Sequence, residues 1–216
     1  MNDLETFDRQ FSAQGFRYIF GVDEAGRGPL AGPVVAAAVC LKTTDFSLVI
    51  RDSKKMTASQ RMRAFEEIFH QAYVGIGIMN EEVIDARNIL QATFLAMCSA
   101  VRQAVSRLVQ SGCPLDHDRN MACLLIDGNR FQTDLPYPYR TIVGGDSRSL
   151  SVACASIIAK VTRDRILEAY DQVFPQYGFS KHKGYATLAH RRALEEHGAV
   201  FVHRKTFRTV RKAVRL

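Results

Sequence analysis

Between Tyr18 and Ala38 an apolar run of strand length, Tyr18-Ile19-Phe20-Gly21-Val22, ends in two adjacent acids, Asp23 and Glu24. A glycine- and proline-rich turn, Ala25 to Pro33, then leads into a second apolar run, Val34 to Leu41. A strand covered on both faces has no reason to finish in two carboxylates unless they meet a cation, a donor or solvent, because burying an unpaired charge is costly. Gly26, Gly28 and Gly32 open backbone dihedrals closed to other residues and let a ligand approach the main chain, while Pro29 and Pro33 stiffen the path. Taken alone, the stretch also reads as an ordinary turn whose acids cap the end of a sheet.

The remaining pattern alternates strands and helices. Thr57 suits an N-cap for a helix through His70 with Met62, Phe65 and Phe69 on its apolar face, and Tyr73 to Ile78 reads as a third strand. From Asn80 to near Ser111-Gly112, apolar residues recur at three- and four-residue intervals, which calls for a long core helix in one or two segments. Met121 to Ile126 is a buried strand ending in Asp127; Tyr139 to Val143 is a shorter one ending in Gly144-Gly145-Asp146. Ser147-Arg148-Ser149 opens another helix, which Pro175 stops, with Lys160, Arg163 and Arg165 on faces other than its core stripe. A polar loop, 176–184, a short helix from Thr187 to His197 and a tail alternating apolar and basic residues complete the chain. No repeat or linker interrupts it, so a single domain over 1–216 is expected, with about 185–216 a basic helical extension lying across its surface.

Three strands thus end in acids: Asp23 with Glu24, Asp127, and Asp146. Parallel strands deliver their C-terminal ends to one edge of an open α/β sheet, where ligand sites gather. Four carboxylates meeting there repel one another unless divalent cations neutralise them, and oxygen-only donors suit Mg²⁺ or Mn²⁺. Such a site can hold two ions about 4 Å apart and hydrolyse a phosphodiester.

Charge sharpens the choice of partner. The net charge is +7, yet residues 1–140 hold 15 Lys/Arg against 16 Asp/Glu while residues 141–216 hold 14 against 6. A cationic half beside an acidic site points to nucleic acid. Five cysteines without a CxxC pair read as structural thiols in a reducing compartment and argue against zinc. Residues 1–14 lack the cationic start and apolar middle of a secretory signal, and no apolar run approaches membrane-spanning length, so a soluble, cytoplasmic protein is expected.

The block Asp23-Glu24-Ala25-Gly26-Arg27-Gly28-Pro29, followed by Ala31-Gly32-Pro33-Val34-Val35, resembles the signature of the ribonuclease HII family. The resemblance extends in order through Asp52-Ser53-Lys54-Lys55, Ile84-Asp85 with Asn88 to Thr93, Ile126-Asp127-Gly128-Asn129, Gly145-Asp146, Ala155 to Asp164, and His182-Lys183-Gly184-Tyr185. Gly144 stands where many members of that family have a lysine, and Met56 and Cys154 replace a more usual Leu and Ala. The related ribonuclease HIII typically carries an extra N-terminal domain and a different residue at the position of Arg27, so the type HII pattern fits better.

The resemblance implies a ribonuclease H-like α/β fold, with a mixed five-stranded sheet flanked by helices and a C-terminal helical extension. It implies that Asp23, Glu24, Asp127 and Asp146 bind Mn²⁺ or Mg²⁺, two ions during catalysis. Gly26, Arg27, Gly28, Lys54, Lys55 and Tyr185 become the substrate-binding set, with Tyr185 stacking on the deoxynucleotide sugar just 3′ of a ribonucleotide. The implied activity is endonucleolytic hydrolysis of the RNA strand of RNA/DNA hybrids and cleavage 5′ to ribonucleotides embedded in duplex DNA, by a monomer acting in primer removal and ribonucleotide repair. Two rivals stand beside it: another ribonuclease H-like nuclease, such as a resolvase or type 1 ribonuclease H, and a non-catalytic nucleic-acid-binding protein with structural acids.

Overall fold

The computed structural model describes residues 3–51, 53–116 and 118–213. Asp52 of the Asp52–Lys55 block and residues 214–216 of the tail lie outside the described residues. In chain order the elements are α1 (Asp3–Ser12), β1 (Tyr18–Ala25), β2 (Val34–Leu41), α2 (Ala58–Gln71), β3 (Ala72–Met79), α3 (Glu81–Arg87), α4 (Ile89–Gln110), β4 (Ala122–Asp127), β5 (Tyr139–Ile142), α5 (Leu150–Val173), α6 (Phe179–His182), α7 (Leu188–His197) and α8 (Arg208–Ala213), with five short 3₁₀ turns between them.

The strands form one mixed sheet in the order β3-β2-β1-β4-β5. β1 and β2 pair antiparallel around the glycine-proline turn, as do β2 and β3, whereas β4 and β5 run parallel to β1. α4 covers one face, against β3 and β2; α5 covers the other, against β1 and β2, with α2 packed on α5. Alternation along β1 sorts the core accordingly. Phe20 and Val22 join the α4 layer, while Gly21 meets α5 so closely that a Cβ there would lie 2.0 Å from the Ser151 carbonyl carbon. Each fully buried aliphatic side chain contributes roughly 1.5–3 kcal/mol, so two such layers can hold strand ends in place even where like charges meet.

Local sequence explains most boundaries. Thr57 and Gln60 close a capping box on α2, Ser149 caps α5, and Asn80 caps α3. Asn88, at φ 66°, breaks the long periodic stretch into α3 and α4 and caps the second, its Oδ1 accepting from the Leu90 and Gln91 amides. Among the described residues, no helix is long and apolar enough to cross a membrane.

Three expectations need correction. Asp146 does not end a strand: β5 stops at Ile142, and the acid sits on a 3₁₀ turn, Gly145–Ser147, entered through Gly144 in the left-handed region at φ 66°. The segment 176–184 is not a polar loop, since it contains a 3₁₀ turn and α6 and buries Tyr177 and Phe179 with α7 and Val202. Arg163, expected on a face other than the core stripe of its helix, is 1% exposed and thus buried, as is Arg204 of the tail, at 0%.

Candidate active site

Asp23 and Asp127 stand one step beyond the paired residues Val22 and Ile126 of two adjacent parallel strands. Parallel pairing therefore sets the two acids side by side at the C-terminal edge of the sheet. Asp23 shares the parity of Gly21, faces α5, and accepts hydrogen bonds from Ser156 and, at 2.7 Å, from the Glu24 amide. Asp127 accepts from the Gly145 amide at 2.6 Å, which draws the turn bearing Asp146 against the end of β4. Lys54 Nζ lies 3.5 Å from Asp146 Oδ2, and Arg27 Nη1 3.2 Å from Glu24 Oε1.

A cleft of about 470 Å³ opens over these groups, lined by Asp23, Glu24, Gly26, Arg27, Gly28, Lys54, Asp127 and Tyr185 among others. Asp146 is not on its lining and is 7% exposed; it borders the site through Lys54 and Asp127. Lys55 is exposed on the 3₁₀ turn Ser53–Lys55, outside the lining.

Sequence reasoning missed Ser53, Arg61, Ser156, Lys160 and Arg163, which also face the cleft. Ser156, Lys160 and Arg163 fall at i, i+4 and i+7, one stripe of α5, and that spacing was the signal available for them. Ser53 Oγ lies 3.0 Å from Ser156 Oγ, and Arg61 donates to the Ser53 carbonyl oxygen at 2.9 Å, so the lysine-bearing turn is tied to the Asp23 partner.

The turn Gly26–Pro33 is held from beneath by the two buried arginines. Arg204 makes five hydrogen bonds to the carbonyl oxygens of Gly26, Arg27, Pro29 and Gly32, between 2.6 and 3.0 Å. Arg163 donates to Pro33, Ala31 and Lys183. Carbonyls turned inward leave the opposite side of the turn facing the cleft. Gly26 permits this at φ +98°, and a Cβ there would lie 2.0 Å from Arg163 Nε. At Gly28, by contrast, the nearest atom to a Cβ would be Tyr185 Cε1 at 3.7 Å, an ordinary contact. Gly28 and Tyr185 are thus opposed across the cleft wall. Burial lowers both arginines from their ordinary range, Arg204 to about 9, with the Arg163 charge adding to the effect.

The acids are shifted the other way. Burial, then the Glu24 and Asp127 charges, push Asp23 well above the usual carboxylate range against the Ser156 and amide hydrogen bonds. Burial also raises Glu24, opposed by Arg27, and raises Asp127, opposed by the Gly145 amide and reinforced by Asp146. Among the described residues no group of three or more Asp, Glu, His or Cys side chains is spaced to hold a metal ion. What fits a hard divalent cation is the donor set itself, carboxylate oxygens without thiol or imidazole, held at mutual repulsion that a positive ion would relieve.

The family model for Ribonuclease HII matches residues 20–210. A curated ribonuclease HII from Syntrophotalea carbinolica is 49% identical over 207 residues, covering 95% of this chain and 92% of the relative. One from Magnetococcus marinus is 47% identical over 201 residues, covering 93% and 89%. Among solved structures, the ribonuclease H2 from Pyrococcus horikoshii OT3 superposes with a TM-score of 0.67 at 23% identity, over 92% of this chain and 97% of that one. Bst-RNase HIII in complex with Mn²⁺ superposes at 0.68 with 18% identity, over 94% and 71%; both are likenesses of fold.

Proposed function

The chain belongs to the ribonuclease HII family, and from that membership and the cleft we propose that it hydrolyses the RNA strand of RNA/DNA hybrids and cuts 5′ to a ribonucleotide embedded in duplex DNA. The bond broken is P–O3′, leaving a 3′-hydroxyl and a 5′-phosphate. The observation that carries the reading is the side-by-side placement of Asp23 and Asp127 at a parallel strand edge, with Asp146 drawn in by the Gly145 amide.

In this reading Asp23, Glu24, Asp127 and Asp146 hold Mn²⁺ or Mg²⁺. The bound ions supply activation of water and neutralisation of charge on the phosphodiester. The Glu24 amide holds Asp23 Oδ1 at 2.7 Å, and Ser156 stands beside the same carboxyl. Arg27 and Lys54, each already beside an acid, bring positive charge to the backbone phosphates, and exposed Lys55 adds to the same field. Gly26 and Gly28 let the main chain reach the 2′-hydroxyl, the one group that separates a ribose from a deoxyribose. Tyr185, half exposed against Gly28, offers its ring to the deoxynucleotide sugar that follows, where a second 2′-hydroxyl would crowd it. The role is also supported by the excess of cations in the last third of the chain, although Arg204 is buried in the fold and Arg163, 1% exposed, reaches only the cleft wall.

A duplex with one embedded ribonucleotide, assayed with and without Mg²⁺ or Mn²⁺, tests the reading. Metal-dependent cleavage 5′ to the ribonucleotide is expected. Binding without cleavage under every metal condition would leave the acids structural and the protein a binding module.

A further inference from the structure

Beneath the loop that carries Tyr185, three histidine rings are packed with Tyr177 and Phe179, and nothing in the proposed reaction uses them. His190 and His203 are both fully buried. With both rings neutral, one arrangement of protons meets the contacts between them and with Tyr185. His190 Nδ1 lies 2.9 Å from the Tyr185 carbonyl oxygen, and a carbonyl only accepts, so Nδ1 carries the hydrogen. Nε2 of that neutral ring is then an acceptor, and His203 Nε2, 3.1 Å away, donates to it. His203 Nδ1 is left bare and accepts the Val200 amide at 3.1 Å, with the Val200 carbonyl oxygen 3.3 Å away. A chain of donors thus runs from Val200 through His203 and His190 to the Tyr185 carbonyl. A proton added to His190 would place a charge in this buried cluster and force the His203 hydrogen across to Nδ1, beside the Val200 carbonyl oxygen at 3.3 Å; burial, first among the causes, lowers both rings to about 4.

The far end of this chain is the residue opposed to Gly28. The Tyr185 ring is 46% exposed, so side-chain packing holds it weakly and its main chain must locate it. That main chain is tied on every side. The Tyr185 amide donates to the His182 carbonyl oxygen at 2.9 Å, and the Tyr185 carbonyl accepts from Thr187 at 2.8 Å as well as from His190. His182 stacks on His190 at 4.5 Å and takes the Gly184 amide on its own Nδ1. Of these ties, only the one from His190 comes from a buried ring with an orientation fixed by a second ring.

We propose that His190, oriented by His203, is a positioning residue for Tyr185: its Nδ1–H fixes the Tyr185 main chain so that the ring meets the ribonucleotide–deoxyribonucleotide junction at the correct distance from Gly28. The inference rests on the reading of Tyr185 given above.

Two variants separate positioning from folding. In His190→Asn the side-chain amide nitrogen occupies the place of Nδ1 and can still donate to the Tyr185 carbonyl; in His190→Gln it reaches only the place of Nε2. Both lose the ring and one of its two hydrogen bonds, so a purely structural role would affect them alike. Turnover is measured on a single embedded ribonucleotide and on an all-RNA hybrid, with Tyr185→Ala alongside. His190→Gln is expected to lower the ratio of the two rates about tenfold, the equivalent of one buried hydrogen bond, while His190→Asn keeps it near the original value. A selective loss in Tyr185→Ala with an unchanged ratio in His190→Gln overturns the inference alone. Equal losses on both substrates in Tyr185→Ala overturn the reading of Tyr185, and the inference with it. Ring-nitrogen NMR of the unaltered protein adds a readout independent of activity and of whether the variants fold. A hydrogen on His190 Nδ1 and on His203 Nε2 is expected, and a His190 ring protonated on Nε2 instead would overturn the inference.

Discussion

Arg204 Nη2 donates to the carbonyl oxygen of Gly26 at 2.6 Å across 178 residues of sequence. The guanidinium makes four further hydrogen bonds to the same turn, so one buried side chain from the tail satisfies carbonyls that water cannot reach. The strand-end acids and the residues opposite Tyr185 are therefore held in register by the last part of the chain.

Arg204→Lys keeps a positive charge but loses the planar fork, leaving several buried carbonyls without donors. Stability should fall by about 3 kcal/mol or more, read as a lower urea midpoint. Hydrolysis should fall with it even at temperatures where the variant stays folded, because the turn carrying Gly26 and Arg27 is no longer fixed. An unchanged midpoint would show that water can replace the guanidinium.

For Asp23→Asn and Asp127→Asn the expected result is loss of turnover with hybrid binding largely kept, since a neutral amide holds a divalent cation poorly. Asp23 is 5% exposed among like charges that raise its pKa, so removing its charge relieves repulsion. The Asp23→Asn protein should melt no lower than the original in the absence of metal. Near-normal turnover in either variant would refute the assignment of the acids.

Gly26→Ala and Gly28→Ala should behave differently although the two glycines flank one arginine. The first places a Cβ 2.0 Å from Arg163 Nε at φ +98°, and should cost roughly 2 kcal/mol or more with impaired activity. The second makes only a 3.7 Å contact with Tyr185, so thermal stability should hold while the preference for an embedded ribonucleotide changes. Equal melting temperatures for both would contradict the clamp geometry.

Hybrid binding measured over a range of salt should weaken linearly on logarithmic axes, because contacts to phosphates release counterions. Lys54→Ala and Lys55→Ala should each reduce the slope by about one, whatever the sequence of the duplex. An affinity indifferent to ionic strength would exclude phosphate contacts as the main source of binding.

His190 and His203 give a pH dependence of stated sign. Their folded pKa of about 4 lies below the ordinary 6.5, so between those values the unfolded chain binds more protons and stability falls as pH falls. The slope is about 1.4 kcal/mol per pH unit for each histidine. The raised carboxyls of the acid cluster act in the opposite direction, so the measurement is the difference between the original protein and the double variant His190→Asn with His203→Gln. A difference that does not vary between pH 4 and 6.5 would mean that the rings are not buried neutral.

The strands, the long helices and the positions of Asp23, Glu24 and Asp127 were legible in the sequence because each rests on local rules: an apolar period of two or of three to four, a capping residue, an acid at the end of a buried run; α1 and α6, short and packed on distant residues, were not. Asp146 was assigned to a strand end, since nothing local distinguishes a strand that continues from a 3₁₀ turn drawn in by the carboxylate of Asp127. Arg163 was placed off the core stripe, Arg204 and His203 in a basic tail lying across the surface, and His190 was passed over, because a polar side chain looks the same in sequence whether it faces water or a set of inward carbonyls. Their roles depend, for the arginines, on carbonyls of the Gly26–Pro33 turn 130 to 178 residues away, and on ring-to-ring contacts for the histidines. The sequence by itself determined the strands, the long helices and the acids that follow β1 and β4, since those follow from interactions within a few residues. Only the tertiary structure decided which buried cations hold the turn and which ring steadies Tyr185, because a hydrogen bond between distant residues is specified by the packing of the whole chain and by no local pattern.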